Sequence, residues 1–301
     1  MPQASQLAFY RRAKSSILLA VPPTHSVYGK EIGMIKINGK IFEVEYFPDG
    51  TQRLKLMSAK GDNVTITWNY ENDSELFTVI SLAKGYKNIG KRIFLKMPYI
   101  PNARMDRVKS DSEVFTLKIF CELINQLGFE NVSVLDAHSN VSLALLDNVH
   151  QMDIADIIKR AALDKLPKDT ILYFPDEGSK KRYAEIFPDY KYVIGMKMRD
   201  WDTGKIKGLD IIANGVDIKE KTVLMVDDII SYGGSMYYSA LKLKELGVKD
   251  IYAYATHTEL SVLDENKGTL IKLLNDGTVK KLFTTDSIYN GNHKKIEVVD
   301  L

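Results

Sequence analysis

Two adjacent acids, Asp227 and Asp228, stand between an apolar run, Val223-Leu224-Met225-Val226, and a short turn, Ser231-Tyr232-Gly233-Gly234-Ser235. After the turn comes a segment of helical period that ends at Leu246-Gly247. A strand followed by acids, glycines and a helix start has a definite chemical use. Ligands of open α/β sheets bind beyond the carboxyl ends of strands. Paired glycines let backbone amides approach an anion closely, and the helix start adds free N–H groups and the positive end of its dipole. Carboxylates accept hydrogen bonds from vicinal sugar hydroxyls. One end of this segment therefore suits a phosphate and the other a sugar.

Other charged groups follow apolar runs in the same way. Met97-Pro98-Tyr99-Ile100-Pro101-Asn102-Ala103-Arg104-Met105-Asp106-Arg107 places two arginines and an acid just after a strand, and guanidinium forks match the oxygens of a polyphosphate. His138 ends Val134-Leu135-Asp136-Ala137-His138, where a histidine taken alone would be a core or capping residue. Asp176 in Phe174-Pro175-Asp176 precedes Lys180, Lys181 and Arg182, a basic trio for which a solvated helix face and a functional role are balanced readings. Lys197 and Arg199 follow the strand Tyr192-Val193-Ile194, in a polar stretch through Asp200, Trp201, Gly204, Lys205 and Gly208 with the character of a lid. Taken alone, a Lys-x-Arg pair is surface. His257 follows a strand end, and structural and functional readings are balanced for it.

The elements that must position these groups are short apolar runs alternating with segments of helical period. Runs at 92–97, 132–135, 171–174, 192–194, 223–226 and 251–254 alternate with helical segments at 112–128, 153–163, 180–186 and 235–246. Strands joined by crossover helices form parallel sheets covered on both faces. Ser112 or Asp111 is the expected cap of one helix, and Gly128 and Gly247 are the expected C′ glycines. Residues 34–41 and 64–68 instead alternate with period two around turns and read as antiparallel hairpin strands on one edge. The expected division is residues 1–155 and residues 156–301, at the polar, proline-containing stretch near 150–165.

Composition narrows the class. The 301 residues are 45% hydrophobic, 10% aromatic and 27% charged, which fits two globular domains and argues against a disordered or fibrous chain. Lys plus Arg is 41 against 39 for Asp plus Glu, so no global field would hold nucleic acid or an anionic membrane. Any anion site must be built locally. The single Cys121 excludes an intrachain disulfide framework and suits a reducing cytoplasm. The apolar run 17–21 stops at Pro22-Pro23, short of a signal core or a spanning helix, and reads as a buried strand.

The segment from Val223 to Ser235 resembles the phosphoribosyl pyrophosphate signature of the phosphoribosyltransferase superfamily. The Arg104 segment then resembles the ATP-contacting segment of the ribose-phosphate pyrophosphokinase family. Further matches fall in order at Phe47-Pro48-Asp49-Gly50, Asn72-Asp73, Asp136-Ala137-His138, Phe174-Pro175-Asp176, Lys197-Met198-Arg199, Ala255-Thr256-His257 and Thr284-Thr285-Asp286-Ser287-Ile288, covering roughly residues 45–290. It is the collinearity of these matches that is specific.

The resemblance implies two tandem phosphoribosyltransferase-like, Rossmann-like α/β domains, each a parallel sheet flanked by helices, with an added N-terminal β-hairpin region. The ATP side would lie on the first domain, perhaps joined by the C-terminal tail. It also implies transfer of the β,γ-diphosphoryl group of ATP to the 1-hydroxyl of ribose 5-phosphate. In that resemblance Asp227 and Asp228 hold the ribose 2- and 3-hydroxyls, and Ser231, Tyr232, Gly233, Gly234 and Ser235 cradle the 5-phosphate. Arg104, Asp106 and Arg107 meet ATP, Phe47 and Asp49 contact adenine from a neighbouring subunit, and His138 and Asp176 help position Mg2+. Lys197 and Arg199 are the implied catalytic cations, and a shared ATP site implies at least a homodimer.

The chain departs from the family pattern at Thr51, Met105, Gly178-Ser179 and Ser231-Tyr232. Two other readings stay open: a phosphoribosyltransferase that consumes the activated sugar, which would need neither Arg104 nor Lys197, and a catalytically silent regulatory homologue.

Overall fold

Side chains of alternating parity along the strands decide the architecture, because each strand must bury both of its faces. In β9 (Ile171–Phe174), Ile171 and Tyr173 enter one apolar cluster and Leu172 and Phe174 the opposite one. In β12 (Thr222–Ile230), Val223 and Met225 divide from Leu224 and Val226 in the same way. The period-two pleat sends neighbours to opposite sides, so a strand apolar at every position needs helices above and below.

The computed structural model describes residues 35–199 and 206–301, with side chains outside 197–199 and 206–208. The expected buried strand at 17–21 lies outside the described residues. The first half runs β1 (Ile35–Ile37), β2 (Lys40–Ile41), β3 (Glu45–Tyr46), β4 (Gln52–Arg53), β5 (Asn63–Trp68), α1 (Ser74–Asn88), β6 (Arg92–Lys96), α2 (Thr116–Gln126), β7 (Asn131–Val134), α3 (Asn140–Leu145) and β8 (Val149–Gln151). These give a six-stranded sheet of order β2-β1-β5-β6-β7-β8 and a separate two-stranded ribbon, β3-β4. β5 to β8 are parallel, while β1 and β2 form the antiparallel hairpin at the edge.

The second half runs α4 (Ile154–Ala161), β9, α5 (Glu177–Tyr183), β10 (Tyr192–Arg199), β11 (Ile206–Ile212), β12, α6 (Gly234–Glu245), β13 (Asp250–Thr258), α7 (Leu270–Asp276), β14 (Val279–Thr285) and β15 (Ile296–Val299). Its seven-stranded sheet has the order β11-β10-β9-β12-β13-β14-β15, parallel except for β11. α4 packs Ile158 and Ala161 against this second sheet, so the chain changes sheets between Gln151 and Ile154. The C-terminal strand β15 also pairs with the second sheet, through β14, whereas the tail was expected beside the ATP-side half. Among the described residues, no helix is long and apolar enough to cross a membrane.

Three local expectations change. α2 begins at Thr116 with Phe115 as its cap, four or five residues later than Asp111 or Ser112. The Ser112 hydroxyl is engaged by Ser110 at 2.9 Å and Glu113 accepts from the Lys109 amide at 2.7 Å, so these groups close a turn of their own. β12 runs on through Ile230, so Asp227 and Asp228 sit inside the strand instead of after it. β13 likewise runs to Thr258 and contains His257. Both extensions share one cause: the two strands keep pairing, with Asp227 opposite Ala255 and Ile229 opposite His257.

A buried carboxylate locks the two sheets together. Asp136 lies just past β7 with φ +45° and is 4% exposed. From the second half, the Tyr183 hydroxyl donates to its Oδ2 at 2.6 Å, the Thr256 hydroxyl donates to the same oxygen, and the Arg182 guanidinium lies 3.5 Å from Oδ1. Burial pushes the Asp136 carboxyl up to about 6, with Arg182 opposing that shift. Nearby, His257 Nε2 meets the Leu135 carbonyl at 3.1 Å, and the Asn69 amide donates to the Asp286 carbonyl at 3.0 Å. Removing one member of a buried charged cluster strands the others, so Asp136→Ala should lower the unfolding free energy by about 3–5 kcal/mol. Denaturant unfolding of the two proteins measures this directly.

Candidate active site

The carboxyl end of β12 gives the site its charges. Asp227 and Asp228 meet different partners, each set including a residue of α5. Asp228, 6% exposed, receives His138 Nδ1 at 2.6 Å and Arg182 Nη1 at 2.9 Å on one oxygen. Asp227 accepts from the Ser179 hydroxyl at 2.9 Å. Arg182 also donates to the His138 carbonyl at 2.5 Å, which fixes the histidine from below while Asp228 fixes its ring.

These contacts split the two acids electrostatically. Burial alone would raise Asp228, but the His138 and Arg182 bonds outweigh it and hold its carboxyl well below the usual range. Asp227 is pushed up to about 8, first by burial and then by the charge on Asp228. The two neighbouring acids are thus shifted in opposite directions. His138 is raised above 6.5 by its bond to Asp228, with burial opposing. Burial would lower Arg182, yet Asp228 and Asp136 keep it firmly cationic.

Beyond Ile230 the chain turns tightly into α6. Gly233 caps α6 at φ +83°, a left-handed conformation that glycine adopts freely, and a Cβ there would stand 2.4 Å from Leu270 Cβ. Gly234 opens the helix, so the first-turn N–H groups of α6 face outward beside Ser231. The Tyr232 carbonyl accepts from the Thr269 amide at 2.8 Å and its hydroxyl at 3.0 Å, which anchors the turn to the start of α7. The Tyr232 ring is exposed, with Lys267 Nζ 5.9 Å from its centroid. Ser235 is the second residue of α6.

The first half brings its own groups to the same place. Arg104, His138 and Asp228 line one small cavity together with Tyr99 and His257. The Arg104 guanidinium pairs with Glu259, at the end of β13. Asp106 lies close enough for its charge to favour protonated His138, and it pairs with Arg107 at 3.1 Å. Arg107 itself is 76% exposed, so it joins the rim and not the cavity. Asp176 caps α5, accepting from the Ser179 amide at 3.1 Å, and Ser179 carries the contact on to Asp227.

Other expected groups lie elsewhere. Phe47 and Asp49 sit on the exposed β3-β4 ribbon, where Asp49 accepts from the Thr51 amide at 3.0 Å and its hydroxyl at 2.7 Å. Lys197 and Arg199 belong to β10, opposite Leu209 and Ile206 of the antiparallel β11, so they occupy a hairpin where a loop was expected. Their side chains, and residues 200–205 of the expected lid, lie outside the described residues. His257 is structural. Burial lowers it to about 4, so the ring is neutral; Nε2 donates to the Leu135 carbonyl, and Nδ1 accepts from Ser287 at 2.8 Å.

Sequence reasoning left Asp136, Ser179, Tyr183, Thr256 and Glu259 out of the site. An acid directly after Val134-Leu135 was a usable signal for the first, since an acid buried at a strand end must find partners. The others had none, because their role comes from contacts between segments 40 or more residues apart.

Paired acids and an anion-ready helix start at the carboxyl edge of a parallel sheet define the class, an α/β protein built to handle a phosphorylated ligand. No family model matches the chain. A ribose-phosphate pyrophosphokinase of Saccharolobus solfataricus is 28% identical over 283 residues, 90% of each chain. Another, of Thermococcus kodakarensis, is 30% identical over 226 residues, 72% of this chain and 78% of that one. The crystal structure of phosphoribosylpyrophosphate synthetase from Mycobacterium smegmatis shares the fold, with a TM-score of 0.62 at 18% identity over 86% of this chain and 85% of that chain. The chain belongs to the ribose-phosphate pyrophosphokinase family, whose members are transferases.

Two measurements probe this geometry. Gly233→Ala should cost about 1–3 kcal/mol in stability, since the methyl group would overlap Leu270 in an unfavourable backbone conformation; a thermal melt reads it. The His138 titration followed by NMR should have its midpoint above 6.5 and fall in Asp228→Asn. The stabilisation from His138 is complete below pH 6.5 and disappears as pH climbs through its raised folded value. That from Asp228 is complete above 3.8 and is lost as pH falls through its lowered one.

Proposed function

We propose that the protein is a ribose-phosphate diphosphokinase, transferring the β,γ-diphosphoryl group of ATP to the 1-hydroxyl of ribose 5-phosphate to give phosphoribosyl pyrophosphate and AMP. The observation that carries this reading is the shared cavity. Arg104 and His138 from the first half meet Asp228 from the second, a few residues from the helix-start cradle. A nucleotide tail and a sugar phosphate would lie side by side there.

The cradle from Ser231 to Ser235 would take the 5-phosphate on backbone amides and hydroxyls, with the α6 dipole assisting. Asp227 and Asp228 would bind the ribose hydroxyls. The sugar would thus be fixed in one orientation. The 1-hydroxyl oxygen then attacks the β-phosphorus and loses its proton to solvent while the bond from that phosphorus to the α,β-bridging oxygen breaks, and the electron pair leaves with AMP. Such transfers need mostly positioning and charge stabilisation. Arg104, with Asp106 and Arg107 at the rim, would hold the phosphates, and Lys197 and Arg199 would neutralise charge developing on the transferred group and on AMP.

Among the described residues, no three His, Cys, Asp or Glu side chains form a group able to hold a metal ion alone. That donor set fits Mg2+ carried on substrate phosphates, which keeps its waters and needs only one or two protein ligands. His138, its Nδ1 committed to Asp228, and Asp176 would hold it. When bound, the ion would offset charge on the transferred phosphates.

Phe47 and Asp49 on their exposed ribbon suit an adenine contact given to a neighbouring subunit, so we infer at least a homodimer. The single cysteine, Cys121, is buried, and burial pushes its thiol up to about 12, which suits a cytoplasmic location. Mass spectrometry of a reaction with MgATP and ribose 5-phosphate, with no nucleobase added, should show the diphosphorylated sugar and equimolar AMP. Lys197→Ala should keep substrate binding while losing ~10²–10³ in turnover. An absent product overturns the reading, and undiminished turnover overturns the role of Lys197.

A further inference from the structure

Arg104 already has a partner within the chain: its guanidinium holds Oε1 of Glu259. Glu259 follows β13 directly, and its amide donates to the Ile230 carbonyl at 2.8 Å, placing it beside the start of the phosphate cradle. Its other oxygen, Oε2, accepts from the Ser261 hydroxyl at 3.2 Å. Ser261 lies 3.1 Å from the Ser231 hydroxyl. A hydroxyl has one proton, so Ser261 spends its own on the carboxylate and Ser231 must donate to Ser261. The carboxylate is therefore aimed at Arg104 from a fixed position. Arg107, by contrast, pairs with its neighbour Asp106 and stands mostly in solvent.

We propose that Glu259 is an internal counter-ion that occupies Arg104 in place of a nucleotide phosphate and so sets the affinity with which that phosphate is captured. The proposal rests on the reading of Arg104 as a nucleotide contact. A polyphosphate can engage Arg104 only by displacing the carboxylate or by approaching it, and either event opposes binding. The Ile230 carbonyl holds the Glu259 backbone and the Ser261 hydroxyl its carboxylate, so swinging into water when its partner leaves breaks the Ser261 bond. The carboxylate, 26% exposed, is then left without a cation. Glutamine at this position would keep the shape and the bond from Ser261 while removing the charge.

Calorimetric titration of MgATP into the full-length protein tests this. Glu259→Gln should tighten binding about three- to fivefold, the scale of one part-exposed ion pair. Arg104→Ala should weaken binding, and adding Glu259→Gln to it should change nothing further. In turnover, Glu259→Gln should lower the KM for ATP and leave kcat within about twofold, whereas general damage would depress kcat. Ser261→Ala, which frees the carboxylate to rotate, should reproduce part of the gain. Unchanged or weaker binding in Glu259→Gln, or an equal gain in the Arg104→Ala background, overturns the counter-ion role and leaves the proposed activity intact. If Arg104→Ala binds MgATP normally, the proposal falls with the assignment of Arg104 itself.

Discussion

The arrangement depends on keeping buried carboxylates charged. Asp136 and Asp228 lie on different sheets, and both use the Arg182 guanidinium. An unpaired carboxylate at such a depth would take up a proton or find water. Asp228 avoids that because His138 joins Arg182 on the same oxygen, whereas Asp136 relies on Tyr183 and Thr256 as well. The sheets can dock only where all of these bonds close at once. The same contacts set the electrostatics of the cavity that Asp228 lines.

A single arginine serving two acids also explains why the pair on β12 is unequal. Asp228 takes the cationic partners and is lowered, and Asp227, left with Ser179 and a neighbouring negative charge, is raised. The difference arises from which α5 residue each acid meets, Arg182 for Asp228 and Ser179 for Asp227.

Much of this was legible in the chain. Apolar runs at 171–174 and 223–226 demanded coverage on both faces, and the structure gives it; Gly128 and Gly247 end their helices with positive φ as their positions required. The turn at Gly233-Gly234 was readable because few residue types fit its conformation. Strand ends were not readable. β12 and β13 continue past their apolar cores because they pair with each other, and a polar residue such as Asp227 or His257 carries no local mark of that pairing. The hairpin of β10 and β11 was hidden for the same reason, its polar, glycine-containing stretch having the composition of a loop. The partners of Asp136 come from 47 and 120 residues further along, beyond any spacing rule.

The left-handed turn at Asp136 has a bearing on biosynthesis. A non-glycine residue at φ +45° is held there at some cost, about 1–3 kcal/mol, and needs its surroundings to hold it. Those surroundings, Tyr183 and Thr256, leave the ribosome later, Thr256 120 residues later. A nascent chain stalled before β13 would carry a first sheet whose Asp136-Ala137-His138 corner has Tyr183 and Arg182 to meet but lacks Thr256. Competence at that corner is therefore conferred late in translation, so a truncated product would have the first sheet without the corner's working geometry.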